Sequence, residues 1–301
     1  MLTDSFLKYL RYERNYSSCT LDAYRRDLDQ FEAYLRNESV FFDPKGIDAD
    51  IVRGWLVSLM ENGASTTSAN RKLSTLKSFF RYLQKMGEVD ANPLRLVTGP
   101  KNKKPLPVFV RDSEMEELLQ EENFEKDLQG SRTRLILEML YVTGMRRAEL
   151  IGLRLSDVDF SLMQLKVNGK RNKQRIIPFA ESLKMLIEEY LNFRKEICPN
   201  GEDWLFVSDK GEQMPVSAVY KVVRERLASV TSLTKRSPHV LRHSFATSML
   251  NNGAELTAVK ELLGHESLAS TSVYTHTSFE ELKKMYKAHP RALKKGGSHG
   301  S

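Results

Sequence analysis

The sequence of 301 residues contains only two cysteines, Cys19 and Cys198. Two thiols are too few for a disulfide framework or a cysteine-based zinc site, and a reducing cytoplasm is the expected location. No apolar run approaches the ~18–20 residues that span a bilayer, and the start of the chain lacks the basic and apolar regions of a secretion signal. These absences exclude an integral membrane protein. Internal repeats of roughly 20–50 residues are absent as well.

The sequence also has no excess of acidic residues. Lysine and arginine number 46 against 39 aspartate and glutamate residues, so the formal net charge is +7. Residues 71–104 contain nine basic residues and two acidic ones, and residues 166–175 contain five basic residues and no acidic one. Residues 112–127 have the opposite bias, with eight acidic residues and one lysine. Positive charge concentrated in this way is what a polyphosphate partner requires.

The apolar fraction of 41% and the charged fraction of 28% are typical of globular proteins, and the length corresponds to about two domains. Residues 1–96 predict a small helical domain with helices at 3–13, 20–35, 48–61 and 66–85. Thr20 is the expected N-cap of the second helix, and Asp27 is assigned to its polar face. The outward face of the last helix is basic and carries Arg71, Lys72, Lys77, Arg81 and Lys85.

Residues 97–109 are rich in proline and basic side chains, including Lys101, Lys103 and Lys104, and predict an extended linker that can touch a phosphate backbone. Residues 110–295 predict a second domain, and 296–301 have the composition of an appended tail. Strands are expected at 158–160, 162–168 and 175–179. Helices are expected at 112–122, 132–143, 147–153, 181–196, 216–229, 239–252, 255–263 and 279–287. The predicted fold is mainly α with a small antiparallel β-sheet.

In two places of the second domain, basic side chains lie where the chain changes direction. Arg146 follows Gly144 where one helix ends and the next begins, so Glu149 can hold it inward and present it to an anion. The alternative is an ordinary surface arginine after a capping glycine. Lys170 and Lys173 lie in a tight turn between two strands, where lysines are usually solvated. In a groove, such an ammonium can donate a proton.

Two further places combine histidine with other reactive groups. His239 and Arg242 are three residues apart and share a helix face, which suits a phosphate. His243 follows His239 by one turn, but a third ligand at zinc-protease spacing is missing, so no metal or cofactor is expected. His265 precedes Tyr274 by nine residues. A lone tyrosine is most often a packing residue, because its pKa near 10 makes it a poor nucleophile unless cations and a base surround it.

Taken together, these side chains form a coherent set for transesterification at a phosphodiester. Two guanidiniums can neutralise the transition state, the histidines can supply acid–base assistance, the lysine can protonate the leaving oxygen and the tyrosine can attack. The four segments read TGMRRAELIGL, VNGKRNKQRIIPF, SPHVLRHSFATSML and LLGHESLASTSVYTH. In this order and spacing they resemble the tyrosine recombinase (phage integrase) family, Xer type. Residues 1–96 are similar to the core-binding domain of that family.

The resemblance implies that Arg146, Lys170, His239, Arg242 and His265 are catalytic and that Tyr274 is the nucleophile. It implies cleavage and rejoining of DNA strands through a 3′-phosphotyrosyl intermediate and a Holliday junction, without metal or ATP, in chromosome dimer resolution. The alternatives are a mobile-element integrase or excisionase, a non-cleaving DNA-binding regulator and a strand-relaxing topoisomerase. The expected DNA contacts are Arg71, Lys72, Lys77, Arg81, Lys101, Lys103, Lys104 and Lys173.

The implied partners are a double-stranded recombination site and a tetramer on two such sites, formed by this chain alone or with a paralogous recombinase. A DNA translocase is a further candidate partner. The stretch from Phe279 to Tyr286 resembles the family's segment that docks on a neighbouring subunit, with packing on its own domain as the alternative. Arg171 replaces the usual glycine of the hairpin, which leaves open whether Lys170 or Lys173 reaches the leaving group. Arg147 is unusual after the catalytic arginine, and the spacing from Gly144 selects Arg146.

Overall fold

The computed structural model describes residues 2–102, 108–169, 174–198, 202–264 and 286–292. The chain divides into two compact units, Met1–Pro105 and Leu106–Ser301, and each has its own hydrophobic core. Within the described ranges, no helix is both long and apolar enough to cross a membrane.

Residues 2–102 form the helices α1 (Leu2–Tyr12), α2 (Ser18–Asn37), α3 (Ala49–Glu61) and α4 (Thr66–Lys85). The four predicted helices are confirmed. The Asp48 carboxylate accepts two backbone hydrogen bonds at the start of α3, and the Ser65 hydroxyl accepts one at the start of α4. The prediction of Thr20 as the N-cap of α2 is wrong, because Ser17 has the extended backbone of that position and Thr20 lies in the first turn.

The core of the first unit joins the apolar stripes of α2 and α4 to aromatic side chains of α1 and α3. Phe31 and Trp55 are in edge-to-face contact, with ring centroids 5.0 Å apart, and the ring centroids of Phe6 and Phe79 are 5.2 Å apart. The assignment of Asp27 to the polar face of α2 is wrong. This side chain is 1% exposed, since basic and hydroxyl groups of α4 satisfy its carboxylate.

The helices of the second unit in the described ranges are α5 (Asp112–Leu118), α6 (Leu128–Thr143), α7 (Arg147–Ile151), α8 (Glu181–Ile197), α9 (Val216–Val230), α10 (Pro238–Asn251) and α11 (Leu256–Leu263). These confirm the seven helices predicted between residues 112 and 263. Helix α6 is buried on nearly all sides and packs against α8 and α10, so it is the central helix of this unit.

The acidic segment 112–127 forms a shorter helix than predicted. Helix α5 ends at Leu118, and Glu121–Asn123 form a separate 3₁₀ turn. The Asn123 amide donates to the carbonyls of Glu117 (2.7 Å) and Leu118 (3.4 Å), which satisfies the end of α5 and ends it early.

The predicted three-stranded sheet is confirmed, with β1 (Val158–Asp159), β2 (Gln164–Asn168) and β3 (Gln174–Pro178) in the order β1-β2-β3, all antiparallel. Leu165 pairs with Ile177, and both are buried together with Val167, while Lys166 is exposed. This alternation places one face of the hairpin in the core and sets Arg175, opposite Val167, at the edge of the site described below.

Residues 286–292 pack on the second unit. Tyr286 is 4% exposed and His289 is fully buried, with ring contacts to Tyr141 and Phe245. Arg291 Nε donates to Glu138 Oε1 at 2.6 Å. Tyr286 therefore lies on its own domain, as in the alternative named above. Residues 279–285 lie outside the described residues.

Candidate active site

The junction of α6 and α7 places Arg146 at the surface of the second unit. Gly144 ends α6 with a left-handed backbone (φ 59°), and a Cβ built there would lie 2.4 Å from Phe245 Cδ1 and 2.7 Å from Leu263 Cδ2. Only glycine therefore fits this close approach. Arg146 has an extended backbone and occupies the N-cap position of α7. The spacing between Gly144 and Arg146 thus has a direct steric reason.

Glu149 is the centre of the ionic contacts at this junction. Its Oε2 accepts from Arg146 N at 2.8 Å, and its Oε1 accepts from Arg146 Nη1 at 2.7 Å. Arg175 of β3 donates to the same carboxylate through Nη1 (3.1 Å) and Nη2 (2.8 Å). Glu149 thus holds two guanidiniums, one from α7 and one from the sheet, and the expected contact between Glu149 and Arg146 is present.

The carboxylate of Glu149 stays ionised despite its burial. Its side chain is only 5% exposed, and burial by itself would raise its pKa. The hydrogen bonds and charge of Arg175, followed by those of Arg146, outweigh this effect and lower the pKa to about 2. Near neutral pH, Glu149 is therefore a permanent negative charge that orients both arginines.

Arg242 of α10 is 8% exposed and is fixed by backbone carbonyls. Its Nη1 donates to Gly144 O and its Nη2 to Leu263 O, both at 2.6 Å. Burial lowers its pKa to about 10, and the charge of Arg146 contributes in the same direction. At neutral pH the guanidinium is still cationic. The shift also shows that Arg146 and Arg242 are near enough to interact electrostatically.

His239 lies in the first turn of α10, one turn before Arg242, on the exposed side of the helix. Partial desolvation lowers its pKa, and the charges of Arg147, Arg242, Arg146 and Lys235 lower it further. The neutral imidazole is therefore favoured near pH 7, and this form can accept a proton or donate a hydrogen bond.

His243 is half-buried on the same helix. Across the described ranges, no group of three or more His, Cys, Asp or Glu side chains is arranged to hold a metal ion. Among the described side chains around Glu149 and Gly144, the positive charge comes from arginines. Arg146, Arg175 and Arg242 against Glu149 leave two net positive charges beside a neutral histidine, which suits the non-bridging oxygens of a phosphodiester.

Sequence reasoning assigned no role to Arg175, although it counted this residue in the basic segment 166–175. Arg175 Nε donates to Leu262 O at 2.8 Å, so the side chain joins Glu149 to the end of α11.

Arg147 behaves differently from Arg146. It is exposed, and its guanidinium lies 5.9 Å from the ring centroid of Tyr220.

Three expected catalytic residues, Lys170, His265 and Tyr274, lie outside the described residues, as do the expected DNA contacts Lys103, Lys104 and Lys173. The other expected DNA contacts lie in the first unit. Arg71 and Lys72 bind Asp27, whereas neither Lys77 nor Arg81 has an acidic partner among the described side chains, and Lys101 is exposed. The structure therefore brings together Arg146, His239 and Arg242, three of the six expected catalytic residues.

A profile of the Phage integrase family matches residues 109–281, and a profile of the phage integrase N-terminal SAM-like domain matches residues 3–87. The chain belongs to the phage integrase family. It is 38% identical over 294 residues to Tyrosine recombinase XerC of Oceanobacillus iheyensis, with 96% of each chain covered. It is 39% identical over 296 residues to Tyrosine recombinase XerC of Staphylococcus aureus, with 97% of this chain and 98% of the relative covered.

Among solved structures, the chain is similar to the XerH site-specific recombinase bound to palindromic difH substrate in a post-cleavage complex. The TM-score is 0.72 at 26% identity, over 94% of this chain and 83% of that chain. A lambda integrase dimer bound to a core site shares the fold, with a TM-score of 0.68 at 20% identity, over 90% of this chain and 98% of that chain. The chain is a Xer-type tyrosine recombinase, a site-specific recombinase of DNA, as the motifs predicted.

Proposed function

We propose that this recombinase exchanges DNA strands through a covalent bond to Tyr274. The tyrosine oxygen attacks the scissile phosphorus, the bond from phosphorus to the 5′ oxygen breaks, and the phosphate stays on the tyrosine as a 3′-phosphotyrosyl ester. The 5′-hydroxyl of the partner strand then attacks this ester and releases the tyrosine. One P–O bond forms and one breaks in each step, so bond energy is retained and no ATP is required.

The arrangement of Arg146 and Arg242 around Glu149 and Gly144 is the observation that supports this proposal. Both guanidiniums are held before substrate arrives, one by a buried carboxylate and one by carbonyl oxygens. Donors fixed in this way stabilise charge that develops in a transition state without a cost of reorganisation at that moment. We assign them to the non-bridging oxygens of the scissile phosphate.

The remaining roles follow from proton balance. The tyrosine must lose a proton and the leaving 5′ oxygen must gain one. We propose that His239 and His265 assist the loss of the proton from the tyrosine. His239 suits this role because its lowered pKa keeps it neutral. We assign the second transfer to a lysine of the hairpin, Lys170 or Lys173.

The assay that tests this proposal uses a DNA duplex with the selected recombination site, nicked near the scissile phosphate so that the cleaved fragment is lost. Wild-type protein should form a denaturant-resistant adduct with DNA, and Tyr274→Phe should not. Tyr220→Phe is the matched control, because Tyr220 is an exposed tyrosine of the same unit. An adduct that survives Tyr274→Phe contradicts the assignment of the nucleophile.

We infer chromosome dimer resolution, with its part in chromosome partition and cell division, as the biological role. Near-full-length similarity to XerC proteins supports this inference. We further propose a tetramer on two DNA sites, formed by this chain alone or with a paralogue, because a related lambda integrase structure is a tetramer bound to a Holliday junction. In this proposal residues 1–96 and 110–295 are the DNA-binding and catalytic domains, and 97–109 is the linker.

Selection from random duplexes identifies the site, and a plasmid with two copies of it tests the role. Resolution into two circles by the purified chain supports a homotetramer. Resolution only after a paralogue or a translocase is added supports the heterotetramer or a translocase partner. Integration of a site-bearing circle without resolution favours the mobile-element role instead.

A further inference from the structure

Asp27 is a fully buried carboxylate in the first unit, and its side-chain hydrogen bonds within the described part of the chain are to α4. Arg71 donates to both of its oxygens, through Nη1 to Oδ2 and through Nη2 to Oδ1 at 2.7 Å. Lys72 Nζ donates to Oδ1 at 3.1 Å, and Thr75 Oγ1 donates to Oδ2 at 2.8 Å. The carboxylate thus fixes two consecutive basic side chains.

Burial of an ionised carboxylate is costly unless cations and hydrogen bonds compensate it. A leucine at position 27 would meet the core requirement of α2 without this cost, so packing alone does not account for an aspartate. The arginine that it holds is not buried with it. The Arg71 side chain is 49% exposed, so about half of it stays accessible to solvent although both of its terminal nitrogens bond Asp27.

Beside this pair lies a polar cleft of about 380 Å³, lined by Ala23, Arg26, Asp27, Arg71 and Lys72. Three cations against one carboxylate give its walls a net charge of two positive units. The short side chain of Ala23 leaves the space open. A cleft with these properties suits one tetrahedral dianion or one phosphodiester group.

The cleft continues a basic face of α4. At about 100° per residue, Arg71, Lys77 and Arg81 lie within roughly 120° of one another on the helix. Lys77 and Arg81 have no acidic partner among the described residues, in contrast to Arg71. Of these three side chains, Arg71 is thus the one that a described carboxylate holds in a preset orientation.

We propose that Asp27 is a positioning residue that holds Arg71 and Lys72 in place, so that the cleft with Arg26 binds one backbone phosphate of duplex DNA. This inference rests on the proposed function and names a specific phosphate contact within it. The preset arginine fixes the register of the first unit on the backbone, whereas Lys77 and Arg81 supply attraction without a preset geometry.

The test depends on the sign of the change in affinity. Asp27→Asn removes a negative charge, so simple electrostatics predicts tighter binding to DNA, whereas loss of positioning predicts weaker binding. We expect affinity for the selected duplex to fall about fivefold in Asp27→Asn. Asp29→Asn is the matched control. It makes the same charge change at an exposed position of α2 and should leave affinity equal or slightly higher. Equal or tighter binding by Asp27→Asn overturns the proposal.

A double-mutant cycle tests whether Asp27 acts through Arg71. In an Arg71→Ala background, Asp27→Asn should cause a smaller loss of affinity than in the wild type, because only the contact with Lys72 remains to be lost, and an equal or larger loss would contradict the proposal. Thermal unfolding of each variant identifies any loss of the fold. If Asp27→Asn does not fold, Arg71→Lys takes its place, because it keeps the charge but loses the two-point contact and should also weaken binding. Unchanged affinity of Arg71→Lys overturns the proposal.

The adduct assay on the same preparations separates this inference from the proposed function. Wild-type protein that forms the adduct, together with unchanged affinity in Asp27→Asn, refutes the role of Asp27 alone. Wild-type protein that binds the duplex but forms no adduct refutes the proposed chemistry and leaves the role of Asp27 to be judged by affinity.

Discussion

Asp27 in the first unit and Glu149 in the second are buried carboxylates that each hold more than one basic side chain. Asp27 and Glu149 both accept two hydrogen bonds from one arginine, Arg71 and Arg175 respectively. They differ in how exposed those arginines are. The Arg71 side chain is 49% exposed, and the Arg175 side chain is 14% exposed.

The difference in exposure corresponds to a difference in task. A half-exposed arginine in an open cleft can hold one backbone phosphate and so orient the first unit on DNA, and its contribution is screened by salt. Around Glu149, Arg146 and Arg175 come from separate elements, and Arg175 also bonds the Leu262 carbonyl of α11. Arg242 bonds the carbonyls of Gly144 and Leu263, so these guanidiniums have set positions relative to one phosphate. Such fixed donors are required where a bond is broken, and open ones are sufficient where DNA is only held.

The largest expected effect follows from removing the negative charge of Glu149 in the second unit. Glu149→Gln leaves Arg146 and Arg175 without their shared carboxylate, so both lose their orientation. We expect the rate of adduct formation to fall about 10²–10³-fold, while affinity for duplex DNA changes little. Quenched-flow measurement with the nicked duplex checks this. Glu225→Gln, at an exposed carboxylate of α9, should have the wild-type rate. A wild-type rate in Glu149→Gln would mean that the arginines held by Asp27 and those held by Glu149 do not differ in task.

The lowered pKa of Glu149 predicts acid sensitivity of the second unit. Its folded pKa of about 2 lies below the ordinary value of 4.5, so the stabilisation is present above pH 4.5 and is lost as the pH falls towards 2. The loss amounts to roughly 3 kcal/mol in the free energy of unfolding. Urea titrations from pH 5 to pH 2.5 measure it, and Glu149→Gln should lack this part of the dependence.

The two tryptophans allow each unit to be followed separately. Trp55 lies in the core of the first unit, and Trp204 belongs to the second unit. Trp55→Phe therefore leaves tryptophan fluorescence from the second unit alone. The reverse variant, Trp204→Phe, reports on the first unit. If Glu149→Gln alters the acid dependence of the first unit equally, the pKa of Glu149 is not its cause.

Sequence reasoning succeeded where the signal is local. The bounds of α4 were predicted as 66–85 from the apolar stripe within those twenty residues. The contact between Arg146 and Glu149 is also local, since three residues separate them. Local signals of this kind predicted the helices and the sheet. The steric need for Gly144, in contrast, comes from Phe245 and Leu263, which are distant in sequence.

The errors concern groups whose partners are distant in sequence. Asp27 was assigned to solvent because its neighbours on α2 are polar, and the residues that bury it lie on α4. Arg175 received no role because Glu149 and Leu262 approach it only after β3 and α11 have packed. Periodicity reports which face of one helix is apolar, but it does not report which polar group on another element makes burial of a charge favourable.

Replacement of Arg175 is expected to have a smaller effect than replacement of Glu149. Arg175→Ala removes one guanidinium and the bond to Leu262 O but leaves Arg146 paired, so we expect adduct formation to slow about tenfold. Arg175→Lys should restore only part of the rate, because lysine cannot bond the carboxylate and the carbonyl together. Arg224→Ala, at an exposed arginine of α9, is the control. Full activity of Arg175→Ala would leave Arg175 as a structural residue only.

The smallest effect is expected for Lys77 and Arg81, which have no acidic partner among the described residues of the first unit. Lys77→Ala and Arg81→Ala should each weaken DNA binding a few-fold and reduce the slope of log affinity against log salt by about 1, since each removes one released counterion. Lys8→Ala, an equal charge change on the exposed face of α1, should leave the slope unchanged. Adduct formation at saturating DNA should be normal in all three variants. A slower rate at saturation would show that these cations also position the scissile phosphate, and the division between holding and cleaving would then fail.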